Sequence, residues 1–508
     1  MRRLAVASLV VAVVSAAATA LAATPAAGFE QGVAAGEVSS TSARLWTRAP
    51  GAGRVTLTIV EAQGSRPRAR TIALQATTAT DLTVQRVVGG LRPATRYRYV
   101  FSQPGATASA PGLFTTAPEA NADATVRFAF SGDADATAAA NGKPGFNGFE
   151  TYGRMAAEAN DFNVNLGDTI YSDSELAGSP PALTRAQKWE KYRLGLALAP
   201  LRRLRAATAL YSHWDDHEFV NDFTRAEHGA AVYTAGMQAF RDYTPVSYTS
   251  RTGLYRTVRW GRNLELFFLD ERSFRSSKAV AACAGDLAPT APAAVRQAFS
   301  ALAPALAQPV PQGCLGALAD PTRTMLGAGQ YRAFVRGIRS SAARWKVVVN
   351  EVPLMQLYAL PYDRWEGYAA ERARLLADLA GVENVVVLTT DAHAHLIGPI
   401  RTSTVEAGGP VSTGIWEVVT GPVATNTYAR EIDSFLGAAG SGDFVTSLFF
   451  KPSPPRGLGL RCAATDAYGY AQVTVTATTL RIQPKAAGGG PVVEKTGGRC
   501  LPLVLRAS

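Results

Sequence analysis

From Phe29 to about residue 118, apolar and polar positions alternate in short runs: Ser42-Ala-Arg-Leu-Trp-Thr47, Arg54-Val-Thr-Leu-Thr-Ile-Val60, Leu82-Thr-Val-Gln-Arg-Val-Val88 and Arg96-Tyr-Arg-Tyr-Val-Phe101. A period of two sends successive side chains to opposite faces of an extended strand, and Gly and Pro separate the runs. Residues 29–118 are therefore expected to form a small all-β sandwich. The segment gathers no convergent polar residues, which suits a packing or spacer module, and Thr115-Thr-Ala-Pro-Glu-Ala-Asn121 is the expected linker.

From Val126 the pattern changes to strand, helix, strand. Val126 to Ser131 is apolar, Phe149 to Asn160 has helical spacing and Asp161 to Leu166 is apolar again, as in a crossover unit. Gln330 to Arg344 and Glu366 to Ala380 predict helices leading into the strands Trp345-Lys-Val-Val-Val349 and Val385-Val-Val-Leu388. Leu264 to Leu269 and Ile415 to Val419 add strands, and Tyr470 to Ala477 predicts a strand closing a sheet edge. The Ala/Pro-rich residues 285–328 predict a loop with helical turns. Gly90-Leu-Arg-Pro-Ala-Thr-Arg-Tyr97 resembles the corner before a late strand of fibronectin type III domains. The expected fold is thus α/β (α+β), with two mixed sheets flanked by helices over residues 126–505, preceded by a fibronectin III/Ig-like domain.

Composition supports a large buried core: 508 residues are 47% hydrophobic and 18% charged. Arg2-Arg3, the apolar Leu4 to Val14 and Ala20-Leu-Ala22 form an export signal over residues 1–22, so a secreted, periplasmic or cell-surface location is expected, reached by Sec or Tat. No other stretch is long and apolar enough to span a bilayer. The net charge of +11 is spread thinly, with no basic stripe interleaved with aromatics. No dedicated nucleic-acid partner is indicated; the charge suits a basic, soluble exported protein, expected to be a monomer, with steering of small anionic substrates as the sharper reading. Four cysteines in an exported chain suggest two disulfides. Cys283 with Cys314 and Cys462 with Cys500 each close a local loop, with three connectivities open.

Candidate chemistry sits at the ends of apolar runs: Gly132-Asp133, Gly167-Asp168-Thr-Ile-Tyr171, Trp214-Asp-Asp216-His217, Val349-Asn350 and Thr390-Asp391-Ala-His393. In open α/β sheets ligands collect where strands end, so these groups are expected to converge. Oxygen ligands with an imidazole suit iron, manganese, calcium or magnesium. A phenolate from Tyr171 selects a trivalent ion, because only a highly charged cation competes for a group with a pKa near 10. No Gly-x-Ser-x-Gly elbow with an acid and base to follow is present, which argues against a serine hydrolase.

In this order the motifs resemble the calcineurin-like metallophosphoesterases. Within these they look most like the alkaline phosphatase D (PhoD-like) family, with its N-terminal sandwich and Trp-Asp-Asp-His-Glu signature. The resemblance implies a metallophosphoesterase sandwich that hydrolyses phosphate monoesters and diesters, with metal-bound hydroxide attacking at a dinuclear site. It implies that Asp133, Asp168, Tyr171 and His393 hold Fe3+, and that Asp168, Asp216, Asn350 and Asp391 hold Ca2+, for which Mn2+, Mg2+ or Zn2+ could substitute. The family can use a cysteine on its first motif; this chain has Asp133 there. Register leaves Asp215 as an alternative to Asp216, and His395 as an alternative to His393.

His217 is expected to bind a phosphoryl oxygen and protonate the leaving alkoxide, with Asp216 beside it and Glu218 orienting it. Leu269-Asp270-Glu-Arg272-Ser-Phe-Arg275 resembles a family segment in which Arg272 and Arg275 clamp phosphate; a structural salt link from Asp270 to an arginine is the competing reading. The rival functions are a purple acid phosphatase-like monoesterase and a non-catalytic cell-surface binding protein with structural metals. Preference among monoesters, diesters and phospholipids depends on the loops 172–205 and 276–328.

Overall fold

Seven short antiparallel strands form the N-terminal sandwich, as the alternation predicts. β1 (Val33–Gly36), β2 (Ser42–Arg48) and β5 (Thr83–Gly89) make one sheet in the order β1-β2-β5. β3 (Gly53–Glu61), β4 (Arg70–Ala76), β6 (Arg96–Ser102) and β7 (Gly112–Thr115) make the other, in the order β4-β3-β6-β7. The Arg92 N–H donates to the Tyr97 hydroxyl at 2.9 Å, a tyrosine corner like those of such sandwiches. The computed structural model describes residues 28–63, 69–176 and 178–508. The expected export signal, residues 1–22, lies outside them, and among the described residues no helix is long and apolar enough to cross a membrane.

The larger domain has thirteen strands in two mixed sheets. One joins β8 (Val126–Ser131), β9 (Phe162–Leu166), β10 (Ala209–His213), β18 (Gly469–Val475), β19 (Thr479–Ala486) and β20 (Leu503–Arg506) in the order β10-β9-β8-β18-β19-β20. The other joins β11 (Arg256–Trp260), β12 (Leu264–Phe268), β13 (Trp345–Val349), β14 (Val385–Thr389), β15 (His395–Ser403), β16 (Val411–Val419) and β17 (Cys462–Ala464) in the order β11-β12-β13-β14-β16-β15-β17.

Strands buried on both faces explain the unbroken apolar runs. Leu264, Leu266, Phe268, Val347, Val349, Val386 and Leu388 enter one core with Phe128, Phe130, Phe162 and Val164 of the facing sheet. The alternate residues Phe267, Val348, Val385 and Val387 pack instead beneath the helices Gly327–Ser340 and Ala369–Leu379. Each such side chain contributes about 1.5–3 kcal/mol on burial. Parallel pairing of β8 with β9 and of β13 with β14 places the ends of these strands, and the polar residues after them, on one edge of the molecule.

One expectation is corrected and one alternative is decided. Tyr470–Ala477 does not close an edge: β18 lies inside its sheet, paired to β8 and β19. Its polar Gln472 is tolerated there because Glu158 accepts from the amide at 2.9 Å. Of the two roles expected for the N-terminal domain, packing or spacing, the contacts favour packing. Trp46 is fully buried, donates to the Asp242 carbonyl at 2.7 Å and lies 4.4 Å beneath the Arg205 guanidinium.

The disulfides are Cys283–Cys314 and Cys462–Cys500. The first staples the 285–328 insertion, which carries short helices at Ala293–Phe299 and Cys314–Leu318. The second ties β17 to the segment before β20 across 38 residues. In the chain-entropy account a loop of that length is worth about 4 kcal/mol. Replacing both Cys462 and Cys500 by Ser is expected to lower the free energy of urea unfolding by about that amount. An unchanged unfolding midpoint would show that the crosslink does not stabilise the domain.

Candidate metal centre

The Gly-Asp pairs after β8 and β9 are built for close approach of chain to chain. A Cβ on Gly167, whose φ is +116°, would meet the Asp215 Cβ at 2.5 Å, and one on Gly132 would meet the Thr390 Cγ2 at 2.8 Å. The aspartates that follow, with Asp391 and His393, all have positive φ: 59° at Asp133, 50° at Asp168, 64° at Asp391 and 47° at His393. Non-glycine residues rarely adopt this conformation unless neighbouring structure holds them in it, and such positions cluster at functional sites. Here backbone bonds hold them. The Ala134 N–H donates to the Asp168 carbonyl at 3.0 Å, the Ala424 N–H to the Asp133 carbonyl at 3.0 Å and the Asp391 N–H to Asp133 Oδ1 at 3.2 Å.

Two groups of potential ligands result, and they share one carboxylate. One ligand atom each from Asp133, Asp168 and His393 lie within 4.8 Å of one another, and so do those of Asp168, Asp216 and His217. The Tyr171 hydroxyl lies 3.2 Å from His393 Nε2, and its ring stacks on His217 at a centroid distance of 4.0 Å. The donor set fits cations. Burial, together with the carboxylates of Asp216, Asp215, Glu218 and Asp133, pushes Asp168 well above the ordinary carboxylate range. Burial likewise raises Asp133 to about 6 against the pull of His393, and Asp133 Oδ2 is buried with no hydrogen-bond partner. Buried carboxylates so placed need opposite charge to ionise.

The residues of the two open registers have different surroundings. Asp215 turns away from both groups, its Oδ1 bound by Arg272 Nε at 2.5 Å, while Asp216 joins the second group. His395 is packed between Gly421 and Gly469, its Nδ1 accepts from the Gly421 N–H at 3.2 Å, and burial lowers it to about 3. His393 stands at the centre instead, with its Nδ1 against Glu431 of the helix Tyr428–Leu436. Burial alone would lower His393, but Glu431, Asp133 and Asp391 raise it to about 10.

The other expected residues have partners within the protein. Asn350 Oδ1 accepts from the Trp365 indole at 3.2 Å and its amide nitrogen bonds the Val352 carbonyl. Asp391 faces Arg272 Nη2 at 3.7 Å, as does Asp216 at 3.8 Å. Asp391 lies outside the two ligand groups above. Arg272 and Arg275 do not present a free phosphate clamp. Arg272 is fully buried and also pairs with Asp363 at 2.8 Å, and Arg275 pairs with Asp363 at 3.0 Å and Tyr368 at 3.2 Å. Their guanidiniums balance the protein's own carboxylates. Among the described residues Asp270 makes no arginine salt link; it accepts from Trp214 Nε1 at 3.1 Å and from the Leu254 N–H at 2.8 Å.

His217 is oriented by Asp173, which the sequence reading missed, and not by Glu218. His217 Nδ1 lies 2.7 Å from Asp173 Oδ1, and its N–H donates to Asp168 Oδ1 at 3.2 Å. Burial would lower the imidazole, but Asp216 and Asp173 raise it to about 9. Glu218 instead clasps two loops, accepting from the Asp215 N–H at 2.8 Å and the Thr169 N–H at 2.6 Å. Two further acidic groups are no separate centres. Asp222 and Asp363 beside Asp216 are paired to Lys278, Arg272 and Arg275, and the thiols of Cys462 and Cys500 beside Glu494 are joined in a disulfide.

Comparison with known proteins places the chain. It is similar to alkaline phosphatase D of Bacillus subtilis (strain 168), 26% identical over 414 residues, a match covering 72% of this chain but only 64% of that protein. A solved structure described as PhoD superposes with a TM-score of 0.72 at 21% identity, covering 95% of this chain and 90% of the other. Purple acid phosphatase from yellow lupin (Lupinus luteus) seeds shares the fold at a TM-score of 0.56 and 12% identity, covering 91% of this chain and 72% of the other. The profile of the PhoD-like phosphatase N-terminal domain matches residues 15–118 and that of the PhoD-like phosphatase itself matches residues 136–483, so the chain belongs to the PhoD-like phosphatase family.

Proposed function

We propose that the protein hydrolyses phosphate esters at a two-metal centre. The observation that carries the reading is the sharing of Asp168 between the two ligand groups, the position of a bridging carboxylate. Asp133, Asp168, Tyr171 and His393 would hold ferric iron. Asp168, Asp216, Asn350 and Asp391 would hold a hard divalent ion, calcium first and Mn2+, Mg2+ or Zn2+ as substitutes, because all four offer oxygen. Ions so held supply Lewis acidity toward phosphoryl oxygens and lower the pKa of water.

The chain's own residues do the rest. Asp173 fixes the imidazole of His217 through Nδ1. That leaves Nε2 for a substrate oxygen, so His217 protonates the departing alkoxide. Stacking on Tyr171 and nine-tenths burial keep the ring from turning. The substrates are small phosphate monoesters and diesters, and the protein acts after export, soluble or loosely held at the cell surface.

The reading is tested by following alcohol release from one monoester and one diester, using protein purified without chelators. Turnover that stops on chelation and returns with metal supports it; no turnover of either ester by metal-loaded protein would sink it. The iron assignment has its own test. Purified protein is expected to show a broad visible charge-transfer band that Tyr171→Phe removes, and colourless, iron-free, fully active protein would contradict it.

A further inference from the structure

Beside the metal centre opens a cleft of about 550 Å³ lined by Asp222, Asp363, Arg364, Asp391 and Glu431, among others. It has one apolar wall, made by Leu360, Tyr428, Ile432 and Phe435. The same four residues also line a second, narrower cavity of about 80 Å³, which runs back between the 285–328 insertion and the segment 445–450. No charged side chain lines that cavity; Val295, Phe299, Leu306 and Phe449 form its depth. The two spaces therefore adjoin along one shared wall. Arg364 stands at the junction, its Nη2 bonded to the Leu360 carbonyl at 3.0 Å and in no ion pair among the described residues.

Nothing in the chemistry of ester hydrolysis at the metal centre calls for this cavity. A cavity of about 150 Å³ lined by Leu, Ile and Phe takes up benzene, so one of half that volume suits a narrower group, an unbranched chain. Its mouth is apolar as well: Phe435 is 58% exposed and Leu360 38% exposed. Water gains little from covering these side chains, whereas alkyl carbons there would be removed from water on both sides.

The geometry points to a substrate class: phosphate esters in which an unbranched alkyl chain is attached near the phosphate, the phosphate at the metal centre and the chain in the cavity behind Leu360 and Phe435. This rests on the proposed phosphoesterase reading and narrows it. Selectivity comes from the insertion held by Cys283–Cys314, which supplies Val295, Phe299 and Leu306 and none of the ligands named above.

The test uses the full chain and n-alkyl phosphonates of increasing length, which bind without being cleaved, measured by calorimetry. Each methylene that enters the cavity is expected to tighten binding roughly fourfold, until the cavity is full. Val295→Trp, which fills the cavity, is expected to abolish the dependence on length while leaving methylphosphonate binding and turnover of a short-chain ester unchanged. Ala303→Phe, on the same wall, is a second filling variant should the first fail to fold. Affinity independent of chain length in the unsubstituted protein would overturn the inference while leaving the phosphoesterase reading intact. Length-dependent binding without turnover of any ester would leave the cavity assignment standing and overturn the phosphoesterase reading.

Discussion

Asp168→Asn is expected to abolish turnover and to lower the occupancy of both metal ions at once. Its carboxylate belongs to both ligand groups, and its Oδ1 also accepts the His217 N–H, so one substitution removes the charge common to the two positions. An amide keeps the size and one oxygen but carries no charge, and it cannot bridge two cations as a carboxylate does. The variant should still fold, because relieving one of several crowded buried carboxylates removes a source of repulsion. Substituting Asn350 by Ala, in contrast, should empty mainly the second position. Metal analysis beside a rate assay decides the matter: Asp168→Asn with both ions bound and near-normal turnover would show that the centre is assigned to the wrong residues.

His217→Ala is expected to keep both metals and the fold, yet to lose roughly 100-fold to 10,000-fold in rate, the range typical of positioned proton transfer. The loss should follow the leaving group. An ester of a poorly acidic alcohol needs a proton as its bond breaks and should suffer most; one releasing a stabilised phenolate should suffer far less. The Asp173 contact at 2.7 Å makes a companion expectation: Asp173→Asn should produce a smaller loss of the same leaving-group pattern. Equal losses on both esters with metals retained would assign His217 to phosphate binding. Loss of an ion would make it a ligand, a role its place in the Asp168–Asp216–His217 group allows.

Much of this centre was legible because its residues follow apolar runs. Strands buried on both faces print unbroken hydrophobic sequence, and a polar residue directly after such a run marks the edge where ligands gather. Asp133, Asp168 and His393, which the fold brings together, are picked out this way. What failed was anything set by side chains meeting across distant loops. The arginines of the 269–275 segment look free in sequence, and only the fold shows that Asp215 and Asp363 claim them. Glu431 lies 38 residues from the imidazole it holds, with no local signal.

Helices were hidden for a related reason. Residues 172–205 read as a loop in sequence, yet the helices Arg185–Ala197 and Ala199–Ala207 occupy the later part of that stretch. The inward face of the first is Lys188, Tyr192, Gly195 and Leu196. A lysine on the buried face erases the apolar stripe by which a helix is recognised. Lys188 is tolerated because Nζ donates to Ser172 Oγ at 2.6 Å and to the Phe219 carbonyl at 2.7 Å, and burial lowers it to about 7. These partners lie in the loops that carry Asp173 and His217, so the residue that obscures the helix also buttresses the site.

The most direct test of the central claim is the metal content of protein purified without chelators, measured on the same sample as ester hydrolysis before and after chelation. The account predicts about two ions per chain, one of them iron, with hydrolysis that falls in step with their removal. Full turnover by protein holding neither ion would contradict it.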